Sequence, residues 1–303
     1  MPRASNKDVE LEYANHGDAG KPAILLINGL GSQMTRYPPP FCDELAGKGF
    51  HVIRFDNRDV GLSTKFDGVA VPPLAEIVAK RAKGEKVDVP YTLDDMAADA
   101  IAVLDANMIR QAHVVGISMG GMIGQCVTAS YPDRVLSFTS IMSTTGNPAL
   151  PPAKPEAMAV LTTPAPDPGK DLEAFIKHSV AGSRTIGSPA YPMEEAYLRE
   201  RAESDMRRCF NPAGTGRQMA AITVTGDRRE RIKTIKAPVV VLHGAEDPLV
   251  PLAGGQDTAA NIPGAELRVI PGMGHDMPPQ LYPTFIDAIL RAVERSTAKQ
   301  RAV

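Results

Sequence analysis

The chain has 303 residues, 43% of them hydrophobic and 22% charged, with a formal net charge of −2. That length can bury a large core and suits one domain with a sizeable insertion, while the near-neutral balance gives no electrostatic reason to expect nucleic acid or an anionic membrane as partner. No apolar stretch reaches the roughly 18 residues of a membrane span, and the polar start Met1-Pro-Arg-Ala-Ser-Asn-Lys-Asp8 predicts no secretory leader.

Residues 9–13 alternate apolar and polar side chains, as an antiparallel edge strand with one wet face would. Residues 23–28 and 51–56 are instead short runs rich in Ile and Val, the pattern of strands buried on both faces. An excursion over 65–90 follows, with a helix predicted over 74–83. The spacing predicts another helix over 93–108, with Thr92 as N-cap and Asp94 and Asp95 in its first turn, where the dipole favours acids. A strand over 113–117 leads directly into a helix over 119–130, which Tyr131-Pro132 ends, and a strand over 135–141 comes next. From about Gly146 to Lys236 the strand rhythm stops. A proline-rich stretch there gives way to helical segments near 171–181, 193–209 and 212–225. Strands over 239–243 and 267–270 and a helix over 282–294 complete the chain. The alternation predicts an α/β class with a mostly parallel sheet covered on both faces. Residues 1–145 and 237–303 form its core, and 146–236 form an inserted helical cap that is not an independent domain.

The chemistry-bearing motif is Gly116-Ile-Ser118-Met-Gly120, placed between a strand and a helix. Such a turn must be so sharp that only small residues fit beside it, which leaves the serine hydroxyl exposed above the sheet. A hydroxyl attacks only when a base takes its proton. His275, in the turn-rich loop Pro271-Gly-Met-Gly-His275-Asp-Met-Pro278 after the last strand, is the histidine placed to do so. His51, His113 and His243 sit at strand ends as structural residues, and His16 and His178 have no supporting context. The base needs a carboxylate to fix its tautomer; Asp247, just past the strand over 239–243, fills that role. Glu246 reads as a solvated loop acid, and Asp276 as a cap on the turn after His275. Asn28-Gly-Leu-Gly-Ser32 follows the first parallel strand. The backbone N–H groups of Leu30 and Met119 are assigned as oxyanion donors, with Asn28 and Gly29 supporting the loop. The charges of 56–63 are read as bracing their loop. Cys42, Cys126 and Cys209 are scattered, which suits reduced thiols and a cytoplasmic location.

Together these segments resemble the serine-triad α/β-hydrolases across nearly the whole chain. Residues 51–64, Ala112-His-Val-Val-Gly-Ile-Ser-Met-Gly120 and Ile270-Pro-Gly-Met-Gly-His275 are similar to the aclacinomycin methylesterase branch, whose members remove a methyl ester from a polyketide. The resemblance implies an α/β-hydrolase fold: an eight-stranded sheet, helices on both faces, an inserted helical cap and the chain order Ser…Asp…His. It implies a carboxylesterase that passes through an acyl-enzyme and acts on a small to medium hydrophobic ester. Relatives that open epoxides or remove halide use aspartate at the elbow, so Ser118 counts against both. Carbon–carbon bond hydrolases, cofactor-free perhydrolases and acyltransferases share the serine triad and stay open, as does a low-turnover ligand receptor. Many relatives carry His-Gly where this chain has Asn28-Gly29. No metal or other cofactor is expected. The expected partner is a small-molecule ester, with neither nucleic acid nor membrane, and pairing into a homodimer is left open.

Overall fold

An apolar run without polar alternation is stable as a strand only where both faces of its sheet are covered. In the computed structural model, which describes residues 2–301, the sheet has eight strands and the central ones meet this condition. They are β1 (Arg3–Asn6), β2 (Val9–His16), β3 (Ala23–Ile27), β4 (His51–Phe55), β5 (Ala112–Ile117), β6 (Val135–Ile141), β7 (Val239–Gly244) and β8 (Glu266–Ile270). Every residue of β3, β5 and β7 is buried. The order across the sheet is β1-β2-β4-β3-β5-β6-β7-β8. The β1–β2 and β2–β4 pairs are antiparallel and the rest are parallel. This is the mostly parallel sheet that the alternation predicts, with the eight strands that the resemblance implies. β1 was not read from its residues: an edge strand needs only backbone pairing, and Ala4 is its one buried residue.

Alternate residues of the central strands point to opposite faces. Leu25, Ile27 and Val114 pack with α3 (Leu93–Ala106) and α4 (Met119–Ser130), which cover one face. Ile24, Leu26 and Val115 pack on the other against α1 (Pro39–Gly47) and α11 (Tyr282–Arg301). The α2 helix (Leu74–Ala82) lies in the excursion after β4, and α10 (Leu252–Asn261) joins β7 to β8. Between β6 and β7 come five helices and no strand: α5 (Pro155–Thr162), α6 (Leu172–Ile186), α7 (Glu195–Arg208), α8 (Pro212–Thr225) and α9 (Arg229–Ile232). No helix among the described residues is long and apolar enough to cross a membrane. The helix predicted to stop at 294 continues to Arg301, since nothing in Arg295-Ser-Thr-Ala-Lys-Gln-Arg301 breaks it.

Buried ion pairs join these inserted helices to the loop that follows β4. Asp59 is fully buried and meets the α8 guanidinium of Arg217 through two bonds, Nε to Oδ2 at 2.8 Å and Nη2 to Oδ1 at 2.7 Å. Tyr91 Oη donates to the same carboxylate at 2.6 Å and Phe66 N–H at 2.9 Å. Burial alone would raise the Asp59 pKa; the Arg217, Phe66 and Tyr91 bonds outweigh it and hold the group below the usual carboxylate range. Asp56 pairs likewise with Arg208 of α7 at 2.7 Å, and Arg58 with Asp99 of α3 at 2.6 Å. The charges of this loop therefore brace it, as expected, and also anchor α7 and α8. Because removing one partner strands a buried charge, Arg217→Met is expected to lower unfolding stability by about 3–5 kcal/mol in urea denaturation. A loss under about 1 kcal/mol, the range of exposed pairs, would show that water reaches Asp59.

Candidate active site

Parallel strands place all their C-terminal ends at one edge of the sheet, so residues distant in sequence meet there. Ser118 follows β5 with φ 52° and ψ −119°, a left-handed conformation that costs a non-glycine residue on the order of 1–3 kcal/mol. Neighbouring hydrogen bonds hold it there. Its N–H donates to Ile141 C=O at 2.9 Å, and its C=O accepts from Gly121 N–H at 2.9 Å and Ser143 Oγ at 2.8 Å. The turn packs backbone on backbone: a Cβ at Gly116 would lie 2.1 Å from Gly120 O, and one at Gly120 would lie 2.1 Å from Ile27 O. The side chain is left half-buried at the mouth of a cavity.

Asp247 and His275 complete a chain of hydrogen bonds with Ser118. Asp247 Oδ1 accepts from the N–H groups of Leu249 and Val250 at 2.9 and 2.8 Å, which fixes the carboxylate. Its Oδ2 lies 2.7 Å from His275 Nδ1. A carboxylate only accepts, so the proton sits on Nδ1 and leaves Nε2 free to accept from Ser118 Oγ at 3.0 Å. His275 N–H donates at 2.7 Å to Ile186 C=O, the last residue of α6, so the inserted helices also position the imidazole. The structure thus brings together the three side chains singled out in the sequence.

Their neighbours add detail that sequence did not supply. His243, read only as a strand-end residue, stands 3.6 Å from Asp247 Oδ2 and directs its Nε2–H to Val250 C=O at 2.7 Å. Burial lowers its pKa and keeps it neutral beside the carboxylate. Asp276 does not cap the turn after His275. It reaches instead to Ser188, accepting from its N–H at 3.1 Å and from its hydroxyl, because that loop lies against the end of α6. Glu246 is exposed, as expected.

The loop after β3 lies across the turn from Ser118, with a Gly29 Cβ position 3.3 Å from Ser118 Cβ. Asn28 is fully buried; its Nδ2 donates to Phe55 C=O at 3.2 Å and its C=O accepts from Asn57 Nδ2 at 3.1 Å. Gly31 N–H donates to Gln218 Oε1 at 2.8 Å, and Gln218 Nε2 donates to Arg58 C=O at 2.8 Å. This α8 glutamine, fully buried, pins the loop, and nothing in its own segment marks it as a site residue. Among the described residues neither Leu30 N–H nor Met119 N–H has a hydrogen-bond acceptor, and both residues line the cavity.

The cavity measures about 590 Å³. Its walls come largely from α5 to α8 and are mostly apolar, with Met158, Leu161, Phe175, Met206 and Phe210 among them; Arg201 and Asp205 interrupt them. No group of three or more His, Cys, Asp or Glu side chains among the described residues is arranged to hold a metal. Cys42 and Cys126 are buried, and burial pushes the Cys42 thiol up to about 12.

Residues 22–279 match the family model described as alpha/beta hydrolase fold. The rhodomycin D methylesterase DnrP of Streptomyces peucetius is 26% identical over 97% of this chain and 98% of its own length. Rhodomycin D methylesterase DauP of Streptomyces sp. (strain C5) is 28% identical, covering 98% of this chain and 100% of its own. The crystal structure of the enol-lactonase from Burkholderia xenovorans LB400 superposes with a TM-score of 0.72 over 97% of this chain and 100% of that one. At 21% identity it bears on the fold alone.

The close packing of the turn can be tested by sign. In a helix, Gly→Ala normally stabilises by about 1 kcal/mol. Gly216→Ala in α8, where an added Cβ meets nothing within 4 Å, is expected to do so. Gly120→Ala in α4 is expected to destabilise by about 2–3 kcal/mol, since the methyl would overlap the Ile27 carbonyl. Thermal denaturation of the two variants beside the parent decides it; equal shifts would show that the turn relaxes freely.

Proposed function

The chain belongs to the alpha/beta hydrolase fold family, and from that premise we propose that it is a serine carboxylesterase working through an acyl-enzyme. The observation that carries this reading is the hydrogen-bonded chain from Ser118 Oγ to His275 Nε2 and from His275 Nδ1 to Asp247, at the mouth of a largely apolar cavity. In the proposed reaction Ser118 Oγ attacks the ester carbonyl while His275 Nε2 takes its proton, and Asp247 stabilises the imidazolium. The carbonyl oxygen becomes an oxyanion held by the N–H groups of Leu30 and Met119, which have no acceptor to give up among the described residues. His275 then protonates the leaving alcohol. Water, deprotonated by His275, attacks the acyl group in turn and releases the acid and Ser118. A cavity of about 590 Å³ lined by methionine and phenylalanine suits a small to medium hydrophobic ester. In this reading residues 146–236 act as the cap that selects the substrate, since they supply most of its walls. The likeness to methylesterases along nearly the full chain supports the ester as the bond cleaved.

Ser118→Ala is expected to lower kcat/KM for a short-chain chromogenic ester by about 10⁴-fold or more, and Asp247→Asn by up to about 10⁴-fold through the wrong tautomer. A fluorophosphonate is expected to label Ser118 alone. Buried Ser63, whose hydroxyl donates to Asp56 C=O at 2.6 Å, serves as an internal control. Labelling elsewhere, or full activity in Ser118→Ala, refutes the assignment. Asn28 contributes by tying its loop to the end of β4, not by holding the oxyanion. Asn28→Ala is therefore expected to reduce kcat by less than the roughly 10²–10³-fold of a lost donor. A thousandfold fall with KM unchanged would make its side chain a direct donor.

A further inference from the structure

Arg201 of α7 lines the cavity onto which Ser118 and His275 open. A guanidinium carries five N–H donors. Here Nη2 donates to Ser183 Oγ at 3.1 Å, Nη1 faces the thioether of Met193 at 3.7 Å, and the group lies 5.6 Å from the centre of the Tyr197 ring. None of these partners is an anion, and among the described residues Arg201 forms no ion pair. The two acids in the cavity lining, Asp205 and Asp276, attract Arg201 from beyond ion-pair distance but already have nearer partners. Asp205 takes Arg36 at 3.4 Å and the Thr35 hydroxyl at 2.6 Å, and Asp276 takes the N–H and hydroxyl of Ser188.

The other guanidiniums of the interior are matched differently. Arg58 and Arg217 each grip a carboxylate. Arg228, which has none among the described residues, donates to three oxygens, Gln125 Oε1 at 3.0 Å, Gly226 C=O at 2.6 Å and Thr144 C=O at 2.8 Å. Arg201 has one hydroxyl. Burial, and secondarily the like charge of Arg36, push its pKa down to about 10, which still leaves a cation at neutral pH. A half-buried cation that faces a cavity with donors to spare gains most from an anion brought in by a ligand.

We propose that Arg201 is the anion-binding end of the ester cavity, and that the physiological substrate is a largely apolar ester carrying one ionised carboxylate. The planar fork of the guanidinium matches a carboxylate through two parallel bonds, and the methionine and phenylalanine walls accept the apolar body. As a statement about substrate, this rests on the reading of Ser118 as nucleophile; as a statement about binding, it does not.

The test pairs monomethyl esters of straight-chain dicarboxylic acids with methyl esters of monocarboxylic acids of equal length. The parent enzyme is expected to favour some half-ester over its neutral counterpart by about tenfold or more in kcat/KM, and Arg201→Met to erase that ratio, a fall of about 10–100-fold. Arg201→Lys, which keeps a point charge without the fork, is expected to retain part of it. A parent enzyme with no preference, or an Arg201→Met variant that loses both esters in equal proportion, overturns the proposal. Calorimetry with the free dicarboxylates on Ser118→Ala separates the two readings. Binding that Arg201→Met abolishes supports the anion site even if no ester is turned over, and binding indifferent to Arg201 refutes it even if esters are hydrolysed.

Discussion

Two stretches of main chain approach each other where β3 and β5 end, and the arrangement of the site depends on that approach. With no side chain at Gly116 or Gly120, the first turn of α4 settles against the Ile27 carbonyl. This brings Ser118, Met119 N–H and the loop from Asn28 to Gly31 within one small volume. A serine set half a turn further along α4 could not donate to His275 Nε2. The geometry is therefore decided by steric exclusion between backbones before any charge is considered.

Electrostatics then ties the inserted helices to this edge of the sheet. Asp56 and Asp59, two residues of one loop after β4, take arginines from α7 and α8, and Gln218, one residue beyond Arg217, holds Gly31 N–H. The same helix, α8, thus lines the cavity with Thr215, Met219 and Ile222 and holds the loop beside Ser118. The arrangement couples the shape of the pocket to the position of backbone donors at its base, through groups that are nearly all desolvated. At the opposite wall, Ile186 C=O and Ser188 hold the segment of His275 and Asp276. The histidine is therefore positioned from both the sheet and the insertion.

Much of this could be read from the chain because it depends on local pattern. The apolar runs of β3, β5 and β7 are buried on both faces, and such runs announce themselves without knowledge of partners. Gly116, Ser118 and Gly120 were legible because a sharp strand-to-helix turn restricts residue type at fixed spacing. His275 and Asp247 were legible because each sits in a loop immediately after a strand. What escaped was either locally ambiguous or non-local. The α1 helix opens on Pro39 and Pro40, a residue type that ends helices everywhere but in the first turn. Gln218 meets Gly31 across 187 residues and Asp276 meets Ser188 across 88, and neither partner leaves a trace in the other's neighbourhood. Arg201 lies among several charges of its helical segment, and only its place in the cavity lining sets it apart from them.

The backbone at Ser118 carries one more consequence, for how this chain can change over generations. Left-handed dihedrals at that position favour glycine, the residue without a Cβ, so the native serine is conformationally a poor choice there. Drift toward greater robustness would push the codon toward the residue that relaxes the turn, and that residue has no hydroxyl to offer. On the proposed reading of Ser118 as nucleophile, a lineage that keeps serine is kept from an easy gain in stability by selection on that role, and a lineage released from it would be expected to lose this side chain early while its fold persists.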